Sequence, residues 1–350
     1  MSRIIAAASA FPPHTIDQST IKEAVARVFD GKMAELERLL AVFDRARIVC
    51  RQFMMPLTWY LEPHSQQERT RIYQEHGLEL LIAAARQCLA RADCSPGQVD
   101  HIIFVSSTGL ATPTLDAYLI NRLGMRAETT RTPLWGLGCA AGAVGLARAH
   151  EHCLAYPDHR VLLVALECCS LTFMAGDLSK KNLVATSLFA DGAAAVLIGG
   201  EKAVATGPAI LATRSHLFPD SYRMMGWEFE EEGMQLVLSP KLPLLVRTEL
   251  PALVKGFLVT LGLTQSDLRH YLTHPGGARV VDAYQEALQL ADAALQLTAA
   301  VLRRHGNVSS VSVLVVLEEW LASGGREEPG YGLLSAFGPG FSAELLLIKV

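Results

Sequence analysis

The chain of 350 residues contains no apolar run of 18 or more residues, so nothing in it predicts a helix that crosses a membrane. Basic residues are not in excess. Thirty-one Lys and Arg stand against 35 Asp and Glu, for a net charge of −4. The pI near 6.3 gives no support for nucleic acid as the main partner. No glycine loop of the P-loop or dinucleotide type is present to cradle a phosphate. Cysteines number only seven, all in the first half, with an adjacent pair at Cys168 and Cys169 and no metal-ligand spacing. That count and pattern predict free thiols, a reducing, cytoplasmic setting and no bound metal. The opening MSRIIAAASAFPPHT reads as a first strand stopped by Pro12 and Pro13, not as a signal peptide. No low-complexity linker divides the chain, so one continuous core is expected.

Half of the residues are hydrophobic, which is ample for a large interior. Apolar runs alternate with helical patterns, predicting an α/β fold with buried sheets. The strand candidates are 101–107, 160–169, 193–200, 311–318 and 343–350. Helices are expected over 20–30, 77–93, 142–155 and 287–306, the last stopping at Gly306 behind basic residues. A weak repeat is also visible. CSPGQVDHIIFVSST parallels LTQSDLRHYLTHPGG, and ADGAAAVLIGG parallels GPGFSAELLLIKV. Two similar halves, 1–205 and 206–350, could bring matching ends together. The first would carry a cysteine nucleophile and the second a histidine and an asparagine.

That nucleophile is Cys139, in RTPLWGLGCAAGAVGLARA, where a turn of small residues precedes an alanine-rich helical stretch. A thiol there faces the positive end of the helix dipole, which favours thiolate. A lone cysteine in such a turn is ordinarily just core. THPGG and HGNVSS change that reading by supplying His274 and Asn307. Histidine can accept the thiol proton, and an asparagine NH2 can donate to an oxyanion.

Together, WGLGCAAGAVGLARA, SLFADGAAAVL, THPGG, HGNVSS and SAFGPGFSAELLL resemble the type III polyketide synthases, the chalcone and stilbene synthase family. The resemblance covers essentially the whole chain. It implies a thiolase-like fold of five layers, αβαβα, and a homodimer. The implied substrates are acyl-CoA and malonyl-CoA, with no cofactor beyond these coenzyme A thioesters. MMPLTWYLEP and MGWEFEEEGMQLVLSPKLP look like bacterial members that make alkylpyrones or alkylresorcinols.

By motif, Cys139 would accept the acyl group, and His274 and Asn307 would complete the triad. Phe189 matches the family's gatekeeping phenylalanine, whereas Leu236 stands where a second aromatic gatekeeper is usual. Thr172 matches a cavity-lining position. Ser107, Glu167 and Ser309 match the places from which a water network favours aldol ring closure. Thr112 stands where a residue crosses into the partner's cavity, and Pro339 lies in the loop over the site. Arg38 and Arg45 fall near the coenzyme A positions, although Ala41 replaces a further basic residue. Trp227 fits either a cavity wall or a surface ring anchored by its indole N–H.

Two rival activities share the residue set. A ketoacyl-acyl carrier protein synthase of the initiating type uses Cys, His and Asn for a single condensation, but the SLFADG phenylalanine and the SAFGPGFS ending argue against it. A papain-like protease runs the same three residues in the same order, yet no C-G-[SA]-C-[WY] element surrounds Cys139. A silent scaffold would be expected to have lost at least one of the three.

Overall fold

The computed structural model describes every residue except Ala34, Ala205 and Glu232. Ala205 closes the expected first half and Glu232 belongs to the MGWEFEEEGMQLVLSPKLP phrase; both lie outside the described residues.

The first stretch of chain runs β1 (Ser2–Ala10), β2 (His14–Asp17), α1 (Gln18–Phe29), α2 (Leu36–Arg45), β3 (Cys50–Phe53) and α3 (Gln66–Arg91). It continues through β4 (His101–Val105), α4 (Leu115–Leu123), β5 (Thr130–Leu134), α5 (Ala141–Ala155), β6 (Arg160–Cys168), α6 (Lys180–Leu188) and β7 (Asp191–Gly200). The second stretch holds β8 (Ala209–Leu217), β9 (Met225–Glu230), β10 (Gly233–Leu238), α7 (Leu242–Val259), β11 (Leu268–Thr273) and α8 (Ala278–Ala287). It ends with α9 (Gln296–His305), α10 (Ser310–Ala322), β12 (Tyr331–Gly338) and β13 (Ser342–Lys349). Nine strands form one mixed sheet in the order β11-β12-β13-β8-β1-β7-β6-β4-β5. Five come from the first stretch and four from the second, joined where Ser2 and Arg3 pair with Ile210 and Ala209.

Side-chain alternation sorts the strands into layers. In β6, Leu162, Val164 and Leu166 pack against α3, while Val161, Leu163 and Ala165 face the opposite way toward α5 and α10. In β13, Leu346 and Ile348 reach the same α5 and α10 layer from the other half, and Leu345 and Leu347 face α7 and α8. The order is therefore helix, sheet, helix, sheet, helix, with α5 and α10 in the middle. The expected repeat is visible too. Matching capping boxes, Ser95 with Gln98 and Thr264 with Asp267, launch β4 and β11.

Two element expectations were wrong. Residues 311–318 form the core of α10, not a strand. Its valines and leucines are buried all round because it lies between the two halves of the nine-stranded sheet, so no polar face betrays a helix. The expected helix over 287–306 is divided: α8 ends at Ala287, a turn and a one-turn 3-10 segment (Asp292–Leu295) intervene, and α9 then runs to the Gly306 cap. All seven cysteines are free, and among the described residues no helix is long and apolar enough to cross a membrane.

Candidate active site

The central helices set the site. Cys139 lies in the one-turn segment Gly138–Ala140 that leads into α5, and Ser309 caps α10 beside it. The two helix starts meet because Gly142 has no side chain. A Cβ there would fall 2.2 Å from the Ser310 carbonyl oxygen. Cys139 Sγ lies 3.7 Å from Ser309 Oγ, with the Asn307 side chain beside it.

Asn307 follows the Gly306 cap of α9, and its orientation is set by its partners. Its Oδ1 accepts the Ser309 N–H at 2.8 Å, and its Nδ2 donates to the Gly276 carbonyl at 3.1 Å. Gly276 belongs to the turn after β11 that carries His274, whose backbone N–H donates to the Ser335 carbonyl on β12 at 2.9 Å. Both ring nitrogens of His274 are buried and have no hydrogen-bond partner among the described residues. They are free to exchange protons with a reacting group.

Burial dominates the electrostatics. It pushes the Cys139 thiol up to about 12, aided by the nearby Glu167 charge and opposed by the Ser309 and Asn307 hydrogen bonds. It pulls His274 down to about 3. The dipole of α5 that should favour thiolate is in place, but loss of water outweighs it. At neutral pH the resting site holds a neutral thiol and a neutral imidazole. Moving the proton from one to the other creates a compensated ion pair, the only form in which such a site holds charge cheaply.

Glu167 is completely buried at the end of β6. It accepts the Ser107 N–H at 3.1 Å, the Thr108 hydroxyl at 2.8 Å and the Ser310 hydroxyl at 2.5 Å. Burial raises its pKa against these bonds. The Ser107 hydroxyl accepts the Gly138 N–H at 3.0 Å, which ties this network to the turn holding Cys139. Glu167 thus meets Ser309 through its neighbour Ser310. Neither Thr108 nor Ser310 stood out in the sequence, though each adjoins a serine that did.

Phe189 stands at the junction of site and cavity. Its segment forms a parallel bridge with Asn307. It also lines a cavity, together with Thr172, Leu236 and Trp227. Ile21, Ala24, Val25 and Val28 of α1 extend an apolar wall, joined by Phe53 and Leu57. Leu236 pairs across the β9–β10 hairpin with Trp227, which is therefore a cavity wall. Thr172 donates to the Cys169 carbonyl at 2.7 Å. Pro339 packs on Gly138, over the turn that holds Cys139. Thr112 is exposed in the loop before α4, outside this cavity. Arg38 and Arg45 lie on α2, also exposed, with Arg38 paired to Glu35. Residues of α2 pack with α1 and α6, which puts both arginines on the outside of the cavity's cover.

Comparison with known proteins matches the family model "Chalcone and stilbene synthases, N-terminal domain" to residues 1–202 and the corresponding C-terminal domain to residues 209–350. A putative chalcone synthase of Bacillus subtilis is 40% identical, with 100% of this chain and 99% of the relative covered. A 1,3,6,8-tetrahydroxynaphthalene synthase of Streptomyces peucetius is 38% identical over 99% of this chain and 92% of that protein. The crystal structure of 1,3,6,8-tetrahydroxynaphthalene synthase from Streptomyces coelicolor superposes with a TM-score of 0.94 at 30% identity, covering 99% of both chains.

Proposed function

The chain belongs to the chalcone and stilbene synthase family, the type III polyketide synthases, and from that premise we propose that it extends a fatty acyl-CoA starter at Cys139. His274 takes the thiol proton, and the sulfur attacks the starter thioester. The oxyanion is held by the imidazole and the Asn307 NH2. The C–S bond to coenzyme A breaks, and the imidazolium returns the proton to the departing thiolate.

Malonyl-CoA then loses carbon dioxide, and the resulting enolate oxygen needs the same two donors, so one oxyanion site serves both steps. The enolate carbon attacks the acyl-cysteine carbonyl, a C–C bond forms and the Cys139 thiolate is expelled. The lengthened chain, now a coenzyme A thioester, returns to Cys139 for another round. Cyclisation to a pyrone or a resorcinol ends the cycle. Arg38 and Arg45 are proposed to meet coenzyme A phosphates at the surface. No step is routed through a metal or redox cofactor.

The observation that carries the starter class is the largely apolar lining of the cavity behind Phe189. Its α1 wall offers an alkyl chain only aliphatic contacts, and Leu236 narrows it less than an aromatic ring would. We propose a homodimer as well. The β5 edge of the sheet is unpaired in the single chain, and Leu110, Tyr118 and Trp135 are exposed around it, near Thr112. The test supplies malonyl-CoA with aromatic, short-chain and long-chain fatty acyl-CoA starters and reads products by mass spectrometry against Cys139→Ala. Pyrones or resorcinols built best on fatty starters and absent from the variant support the reading. Product from malonyl-CoA alone at equal rate, or activity only with an acyl carrier protein, overturns it.

A further inference from the structure

Arg51 is the largest fully buried side chain among the described residues, and it lies on β3, outside every motif discussed above. Its Nε donates to Gln18 Oε1 at 3.0 Å, and its Nη1 donates to the Phe189 carbonyl at 2.7 Å. Its Nη2 has no partner among the described residues. The guanidinium lies 5.2 Å from the centre of the Phe53 ring and lines the same cavity as Phe189. Burying a guanidinium costs several kcal/mol and an unpaired N–H adds to that; the buried Asp191 carboxylate offsets part of the cost, while the direct hydrogen bonds go to Gln18 and the Phe189 carbonyl.

The backbone around Phe189 shows what these bonds hold in place. The Asn307 N–H donates to the Leu188 carbonyl at 2.8 Å, and the Ala190 N–H donates to the Asn307 carbonyl at 3.0 Å. Asn307 therefore holds the residues on either side of Phe189, while Arg51 holds the carbonyl of Phe189 itself. The stem of Arg51 also packs on Gly306, where a Cβ would lie 2.7 Å from its Cδ. Gln18, the brace for Nε, donates in turn to the Ser187 carbonyl at 2.9 Å. One side chain thus supports both the gate and the residue that precedes Asn307.

We propose that Arg51 is a positioning residue that locks the Phe189 gate and the Asn307 amide into one rigid unit. The inference rests on the oxyanion role given to Asn307 above. Arg51 touches neither sulfur nor thioester; it fixes where the amide and the gate ring stand. Loosening it moves the donor off the enolate oxygen and lets the growing chain leave early, while the thiol keeps its larger stabilising contact, with Ser309, and changes little in reactivity.

The test compares Arg51→Met, Arg51→Lys and the milder Gln18→Leu with wild type. For each, kcat and KM for malonyl-CoA, product chain length, the alkylation rate of Cys139 by iodoacetamide and the melting temperature are measured. Both Arg51→Met and Gln18→Leu should lower kcat, by up to ~100-fold for Arg51→Met as expected when a donor shifts by about an ångström. KM and alkylation should stay near wild type, products should shorten, and Arg51→Lys should recover part of the loss. Wild-type kcat and product length in folded Arg51→Met and Gln18→Leu would overturn the proposal. So would loss of alkylation and product in step with the folded fraction, which marks a purely structural arginine. An Asn307→Ala control that still decarboxylates malonyl-CoA at the wild-type rate would instead remove the oxyanion reading beneath it.

Discussion

The side-chain carbonyl of Asn307 accepts the backbone N–H of Ser309 at 2.8 Å, and this bond decides which end of the amide is turned toward Cys139. Ser309 has a φ of 48°, a region that non-glycine residues rarely occupy, and the Asn307 bond helps hold it there. With the oxygen committed to Ser309, the NH2 is left for the Gly276 carbonyl and the sulfur side of the site.

Asn307→Asp keeps the shape and removes the donor. Two carboxylate oxygens would then face Ser309, Gly276 and the reacting oxygen. Release of carbon dioxide from malonyl-CoA should fall by about 100-fold to 1,000-fold, the usual cost of losing one oxyanion donor. Carbon dioxide evolution and acetyl-CoA formation measure it directly. Release at the wild-type rate would show that the enolate oxygen is stabilised elsewhere.

Glu167 has donors on both oxygens, from Ser107, Thr108 and Ser310. Glu167→Gln turns one of those acceptors into an NH2 that faces a donor already in place. Either the Ser310 hydroxyl on one oxygen or the Thr108 hydroxyl and Ser107 N–H on the other must then shift, and Ser107 also holds the Gly138 N–H. If this network guides ring closure, the variant should keep starter uptake and extension while its resorcinol fraction falls relative to pyrone. Chromatography of the two product classes checks it, and an unchanged ratio at unchanged turnover would release Glu167 from that role.

The cavity wall supplied by α1 gives a third prediction. Ala24 is buried and lines the space together with Val25 and Val28. Ala24→Trp should block the distal end, at a stability cost of roughly 1–3 kcal/mol for overpacking. The preferred starter should shift from long to short acyl chains, with turnover on the short ones retained. A starter profile that does not move would mean that the alkyl chain lies elsewhere.

The parts of this site that were legible in the sequence are those that chemistry restricts to few residue types. Cys139, His274 and Asn307 stand in small-residue turns, where the backbone can come close to a ligand, and such turns are written locally. Phe189 and Leu236 were found through motifs, and the structure puts both on one cavity wall. Arg51 was not legible. An arginine in a short, otherwise ordinary strand carries no mark of burial, because its burial is decided by Gln18, Phe189 and Gly306, all distant in sequence or set by the fold. The misread α10 has a similar cause. A helix sheathed by the two halves of the sheet shows no polar periodicity, and its β-branched residues then suggest a strand.

His274 also leaves a signature in stability. Its imidazole is fully buried, with a pKa of about 3 in the folded chain against 6.5 when solvated. Between those values the unfolded chain binds a proton that the folded chain refuses, so acidification from pH 6.5 toward 3 costs stability. Asp191 works in the opposite direction. Burial raises it from 3.8 to about 6, so the folded chain holds its proton more tightly over that window and gains stability as the pH falls. The two contributions partly cancel in the wild type, and a variant is needed to separate them. His274→Leu should lose less stability on going from pH 6.5 to 5, by up to about 1.4 kcal/mol per pH unit. Urea midpoints for the two proteins at matched pH measure the difference. Equal slopes would mean that the folded chain takes up the imidazole proton over this window just as the unfolded chain does, so that Cys139 would face an imidazolium, and its thiolate gain a counter-charge, only below about pH 6.5.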